Sequence, residues 1–293
     1  MSDSDRISQV SRGRRVTVVA VLAVVGVLVL AFLADTLAAS RAEHRLATAI
    51  AGAPEISQEP EVTLSGFPFL TRAGSGEFST ITVDALGVGI GDCGTVTRGQ
   101  CTVTVRGQLA DAVVGSVWGV AGDTSITAAR LDAETRIDSV NLGRLMGITD
   151  LYLSTPAPED KIGGGMPALV ERTDGLMLSG TVPLPGSPER EGRYPPSASE
   201  YLSPTVRVSV TAHVTVVGGR VQIVADGFYD GPEEHFSDDV PEEFHSSVLK
   251  LFSTTLPGVP LAWNTHVSRA FARGSDLVLA GEQDHPRLTP ATF

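Results

Sequence analysis

Apolar and polar positions alternate over several long stretches of the 293-residue chain, a pattern typical of strands with one buried face. The longest pair covers residues 205–217 and 220–225, joined through Gly218-Gly219, with valines on one face and polar side chains on the other. The same alternation recurs at residues 101–109, 125–137, 176–182 and 276–280. Such strands predict an antiparallel sheet with one face exposed to water.

An apolar segment, GFPFL at residues 66–70, interrupts two alternating runs near the start of this pattern. Val62 and Leu64 mark the buried face of the run before it, and a second run follows from residue 77. Because Pro68 lacks a backbone N–H, it cannot lie in a central ladder and predicts a bend at the sheet edge. The bend would place Phe67 and Phe69 in the core or at the mouth of a groove.

Three- and four-residue spacing of apolar side chains predicts helices at residues 36–51, 110–120 and 240–252. We expect these helices to cover the sheet. The stretch 183–204 is rich in proline, glycine and serine, which predicts a loop between two halves of the domain.

Residues 16–34 carry no charge and would form a helix of roughly 28 Å, enough for a hydrocarbon core of about 30 Å. Four arginines in residues 1–15 predict a cytoplasmic N-terminus, so residues 35–293 would form an exported domain. The prediction is a single-pass protein of the cell membrane whose main domain is extracytoplasmic. A cleaved signal peptide is the alternative, although signal cores are normally shorter, about 7–15 residues.

The net charge of −12 argues against binding to bare nucleic acid or to an anionic membrane by a basic patch. Any contact with lipid should therefore depend on apolar shape. Cys93 and Cys101, the only cysteines, lie in the exported part and predict a disulfide worth about 2–3 kcal/mol, with two free thiols as the alternative. Two cysteines alone offer too few ligands for a metal.

Motifs for catalysis are weak. Ser247 and Lys250 fit S-x-x-K, but the companion elements of penicillin-type acyl transfer are missing, which favours an exposed helix face. The acidic stretch 230–243 could hold calcium, yet its order fits no EF-hand and favours a solvated loop. The chain is therefore predicted to be non-enzymatic, with no cofactor and no metal.

The apolar segment extends to GFPFLT at residues 66–71 and stands between P-x-V-x-L and F-x-x-I-x-V strands. With the later LPGVPL at 256–261 and LVLAG at 277–281, this arrangement resembles the actinobacterial LmeA-like family of phospholipid-binding envelope proteins. The likeness covers roughly residues 34–281. The Cys93/Cys101 loop and the proline-rich stretch depart from the simplest form of the pattern.

This resemblance implies an elongated α+β fold in which a highly curved antiparallel sheet wraps a helix, as in tubular lipid-binding proteins. It implies membrane-tethered, non-enzymatic binding or carriage of phospholipid or lipid-linked glycan, supporting lipoglycan or mannan maturation beside an envelope glycosyltransferase. An envelope scaffold that acts through protein contacts without a lipid is the alternative. The residues predicted to contact lipid are Phe67, Phe69, Leu70, Val206, Val208, Val210 and Val214.

Overall fold

A single long helix, α1 (Asp3–Ile50), carries the chain from its apolar stretch into the folded part. The computed structural model describes residues 3–90, 101–148, 150–155, 175–185, 204–231 and 233–293. Residues 18–34 of α1 are exposed, whereas Ala42, Leu46 and Ile50 are buried. The helix predicted at 36–51 is therefore confirmed as the last part of α1. By length and composition, Val18–Ile50 could cross a membrane.

Strands make up about half of the rest of the described chain. In chain order they are β1 (Glu61–Ser65), β2 (Glu77–Ile90), β3 (Cys101–Val114), β4 (Ile126–Thr127), β5 (Arg130–Asp138), β6 (Tyr152–Ser154), β7 (Leu176–Pro183), β8 (Thr205–Val217), β9 (Arg220–Phe228), β10 (Thr254–Thr255), β11 (Arg269–Arg273), β12 (Asp276–Asp284) and β13 (Arg287–Leu288).

These strands form two antiparallel sheets. The first has the order β1-β2-β3-β5-β12-β11, and the short β4 joins β3 to β13 beside this path. The second has the order β10-β9-β8-β7-β6. The predicted hairpin at 205–225 is confirmed as β8 and β9, with Val217 opposite Arg220 across the turn.

The described residues contain three further α-helices, all short: α2 (Phe69–Ser75), α3 (Ser139–Met146) and α4 (His245–Leu251). A 3-10 turn at Glu242–Phe244 precedes α4, so the helix predicted at 240–252 exists in a shortened form. The helix predicted at 110–120 is wrong, because residues 110–114 continue β3. Ala110 pairs with Arg130 of β5, and Val113 pairs with Glu77 of β2. Strand pairing on both sides outweighs the helical preference of small side chains.

The C-terminal part closes over the first sheet through Trp263. This residue has φ 52° and ψ 37°, and its indole N–H donates to the Thr289 carbonyl at 3.1 Å. Its ring lies over Gly107 of β3, where an added β carbon would come within 2.5 Å of Cζ3. Glycine at this position therefore provides the space in which the ring packs.

One main core joins the inner faces of both sheets to the C-terminal end of α1. The fold is α+β, with antiparallel sheets and an N-terminal apolar helix, as predicted. Most of the proline-rich stretch, residues 186–203, lies outside the described residues.

Candidate functional site

The apolar segment Gly66–Leu70, called the corner segment below, turns the chain from β1 into α2. Gly66 has φ 148°, a conformation that is essentially restricted to glycine. The Phe67–Pro68 peptide is cis, and α2 begins at the next residue, Phe69. The predicted bend at a sheet edge is confirmed, because β1 is the edge strand of the first sheet.

Asp35 of α1 caps the start of α2. Its two carboxylate oxygens accept hydrogen bonds from the backbone N–H groups of Phe69 and Leu70, at 2.9 and 2.8 Å. These N–H groups have no partner within their own helix, and Pro68 at the cap position has no side-chain acceptor. Asp35 is only 6% exposed, so the backbone N–H groups of α2, and not bulk water, are the hydrogen-bond partners of its carboxylate.

Phe69 points into the core. Its ring is 2% exposed and lies 5.9 Å from the ring of Phe78 and 5.8 Å from that of Trp118, the latter edge to face. Such pairs add stability beyond the apolar area that they bury. Phe69 is thus the anchor that fixes the corner segment to the first sheet.

Phe67 and Leu70 point the other way. Their exposed fractions are 71% and 47%, and the Phe67 ring lies 6.2 Å from that of Phe32, which is itself 54% exposed on α1. The structure therefore separates the two aromatic residues of the corner segment. Phe69 is a core residue, whereas Phe67 lies beside the apolar stretch of α1.

Two more side chains of α1 hold the same region. Glu43 accepts a hydrogen bond from the backbone N–H of Leu64 in β1 at 2.9 Å. The guanidinium of Arg45 donates to the carbonyl oxygen of Trp118. Together with Asp35, these contacts fix α1 against the edge strand and the Trp118 loop over about 15 Å of helix.

The four valines predicted to contact lipid line the inner face of β8. Val206, Val208, Val210 and Val214 are all at most 6% exposed and belong to the main core. They lie in the second sheet, whereas Phe69 packs on the first, so the structure places the predicted residues in separate parts of the core.

The outer face of β8 is covered around Ser209. Ser209 is buried there and forms a hydrogen bond of 2.6 Å with Ser179 of β7. Its hydroxyl accepts from the backbone N–H of Phe236, whose ring lies 3.7 Å below the guanidinium of Arg207. The acidic stretch around residue 236 therefore packs along β8. In the described part of the chain, no three His, Cys, Asp or Glu residues converge as a metal site would require.

Charged side chains on the outer face of the first sheet pair with one another. Arg106 binds both oxygens of Asp84, at 2.5 and 3.1 Å, and this hydrogen bonding raises the pKa of the Arg106 guanidinium. Glu134 accepts from Arg136 at 2.9 Å and from Arg273 at 2.7 Å. Ion pairs of this kind are typical of a solvent-exposed surface.

The remaining predicted residues lie away from the corner segment. Ser247 and Lys250 are exposed on α4. Cys101 is buried at the start of β3, opposite Ile90, and is not a free thiol. Cys93 lies outside the described residues, so the Cys93–Cys101 bond stays a prediction.

The sequence analysis missed Asp35, Glu43 and Trp118. Asp35 offered one signal, because it is the first charged residue after the apolar stretch. Its partners come 34 and 35 positions later, and no local pattern connects them.

An N-terminal helix with an apolar stretch, one face of whose C-terminal end packs on the core of the antiparallel sheets, defines an α+β protein with an apolar interior. The family model of the LmeA-like phospholipid-binding proteins matches residues 33–282, and the chain belongs to this family. The predicted family is therefore confirmed. No curated protein and no solved structure matches the chain. Family membership supports phospholipid binding and a lipid ligand.

Proposed function

We propose that this protein is a membrane-tethered, non-enzymatic carrier that holds a phospholipid or a lipid-linked glycan in the cell envelope. The observation that carries the proposal is the family match, which runs from the end of the apolar stretch into β12. The apolar inner faces of both sheets supply the chemistry that acyl chains need. Support of lipoglycan or mannan maturation, next to an envelope glycosyltransferase, belongs to the same proposal.

The tether is the apolar stretch of α1. Residues 18–34 are exposed, as a segment surrounded by lipid would be, and α1 continues without a break into the core. The arginines before this segment favour a cytoplasmic N-terminus and an extracytoplasmic domain. Peptide mass analysis of the mature protein should find residues before 34, whereas a mature chain that starts after residue 34 would contradict the tether.

The inner face of β8 is the proposed lipid contact, because its valines are the longest apolar row in the second sheet. If this face lines the ligand space, Val214→Phe should occupy that space and lower lipid transfer between vesicles. Thr215→Phe is the matched control, because Thr215 is the next residue and is exposed on the opposite face. The assay uses residues 35–293, so that the protein can move between donor and acceptor vesicles.

The transfer assay distinguishes a carrier from a scaffold. A carrier transfers fluorescent phospholipid, loses transfer with Val214→Phe and keeps it with Thr215→Phe. A scaffold transfers none in any form. If Val214→Phe instead destabilises the domain by about 1–3 kcal/mol without changing transfer, β8 is closely packed core and the ligand lies elsewhere.

A further inference from the structure

An exposed apolar surface continues from α1 onto the corner segment. Phe32 and Leu37 of α1 are exposed by 54% and 72%, and Phe67 and Leu70 of the corner segment by 71% and 47%. The Phe32 and Phe67 rings lie 6.2 Å apart, so the helix and the corner segment share one surface. Large apolar side chains that stay exposed to water do not gain the free energy that burial would give them.

We propose that the corner segment is a membrane-docking surface, which seats in the lipid bilayer at the leaflet where α1 emerges. This inference rests on the tether proposed above. This surface would contact the bilayer itself, and the lipid that the protein is proposed to carry is a separate molecule.

The depth of Phe67 follows from its neighbour. Phe32 lies two residues before the end of the uncharged stretch at Ala34, about 3 Å inside the hydrocarbon boundary along the helix axis. The Phe67 ring is beside Phe32, so it falls at the border between acyl chains and headgroups. Aromatic side chains are enriched at this level of membrane proteins.

The charges around the corner segment suit the same position. Asp35 is the first charge after the uncharged stretch, and bringing its carboxylate close to acyl chains would be costly if it were unpaired. Both of its oxygens accept backbone hydrogen bonds from α2 instead, which removes this obstacle. The first exposed charges that follow on α1 and α2 are Arg41 and Arg72, both cationic, as phosphate headgroups favour.

Docking would determine the orientation of the folded part. Asp35, Glu43 and Arg45 already fix α1 to the corner segment and its surroundings. With Phe67 and Leu70 in the headgroup layer, the first sheet would rise from the bilayer at one angle and would not swing about a single helix.

Photocrosslinking of the full chain in nanodiscs tests this surface. Phe67 is replaced by the photoreactive p-benzoylphenylalanine, and the nanodiscs contain phosphatidylcholine with deuterated acyl chains. Leu86 is the matched control, because it is 58% exposed and lies in β2 eight residues beyond Phe78. That spacing places Leu86 about 27 Å farther along the strand.

We expect a deuterated-lipid adduct at position 67 and only background at position 86. Equal yields at the two positions would overturn docking, and so would adducts at position 67 that contain only the lipid that co-purifies with the protein. Retained lipid is measured on the same samples by native mass spectrometry. Retained lipid without an adduct at 67 refutes docking alone, whereas the adduct without retained lipid refutes carriage alone.

Discussion

One buried carboxylate of α1 caps the start of α2. Asp35 accepts two backbone hydrogen bonds from α2 while it is almost fully buried. A buried carboxylate with both oxygens bonded is stable, but the N–H groups that it caps would lose their partners if it were removed. The residue therefore determines whether α2 begins at Phe69.

Asp35→Ala should lower the stability of the domain by about 1–3 kcal/mol, because two N–H groups of α2 lose their acceptor. Thermal unfolding of the full chain in nanodiscs, followed by near-ultraviolet circular dichroism, measures the loss. Asp35→Asn, which retains one acceptor oxygen, should lose less. An unchanged melting temperature for Asp35→Ala would refute the capping role.

The two aromatic residues of the corner segment should respond oppositely to the same change. Phe69→Asp places a charge in the core beside Phe78 and Trp118, so the variant should lose cooperative unfolding. Phe67→Asp places the charge outside the protein core, so this variant should unfold close to the wild-type temperature. Cooperative, near-wild-type unfolding of Phe69→Asp would show that Phe69 borders an open cavity instead.

Sequence alone could predict the bend at this site but not the direction of each side chain. Pro68 is enough to exclude a central strand. Which phenylalanine enters the core depends on Phe78, nine residues after Phe69, and on Trp118 in a distant loop. The Asp35 cap depends on a contact of the same long range.

At the scale of elements, alternation was a reliable guide where one face of a strand is exposed. β8 and β9 follow it, and so does β2. The helix predicted at 110–120 was wrong because Ala110, Ala112, Val113 and Val114 suit both structures by composition. Pairing with β2 and β5 decides between them, and a local pattern carries no information about that pairing.

The contact between Gly107 and Trp263 should make β3 intolerant of a larger residue. Gly107→Ala places a methyl group against the indole ring and should cost about 1–3 kcal/mol, with a change in Trp263 fluorescence. Gly89→Ala is the matched control, since a β carbon there meets nothing within 4 Å and Gly89 also lies in a paired strand. If the two variants have the same free energy of unfolding, Gly107 is not required for the packing of Trp263.

The β2–β3 connection should be closed by a disulfide between Cys93 and Cys101. Ile90 and Cys101 are paired across the ends of these strands, so the two ends of the connection lie next to each other. Alkylation of the exported protein should label neither cysteine before reduction and both after it. Labelling of both without reductant would exclude the bond.

At the scale of the whole molecule, α1 serves two purposes. Residues 18–34 are apolar and exposed, and one face of the last turns, with Ala42, Leu46 and Ile50, is buried in the main core. The family resemblance, carried mainly by GFPFLT, predicted this arrangement, and the match over residues 33–282 confirms the family. Periodicity alone could predict strands and helices, but the packing of α1 against β1 and α2 depends on contacts between distant parts of the chain.

Lipid carriage is the central claim, and native mass spectrometry tests it most directly. Residues 35–293, exported and purified without detergent, should carry phospholipid or lipid-linked glycan in a stoichiometric amount. Circular dichroism on the same preparation establishes that the domain is folded. We predict a main species heavier than the polypeptide by the mass of the lipid, whereas a folded domain at the bare polypeptide mass would contradict the account.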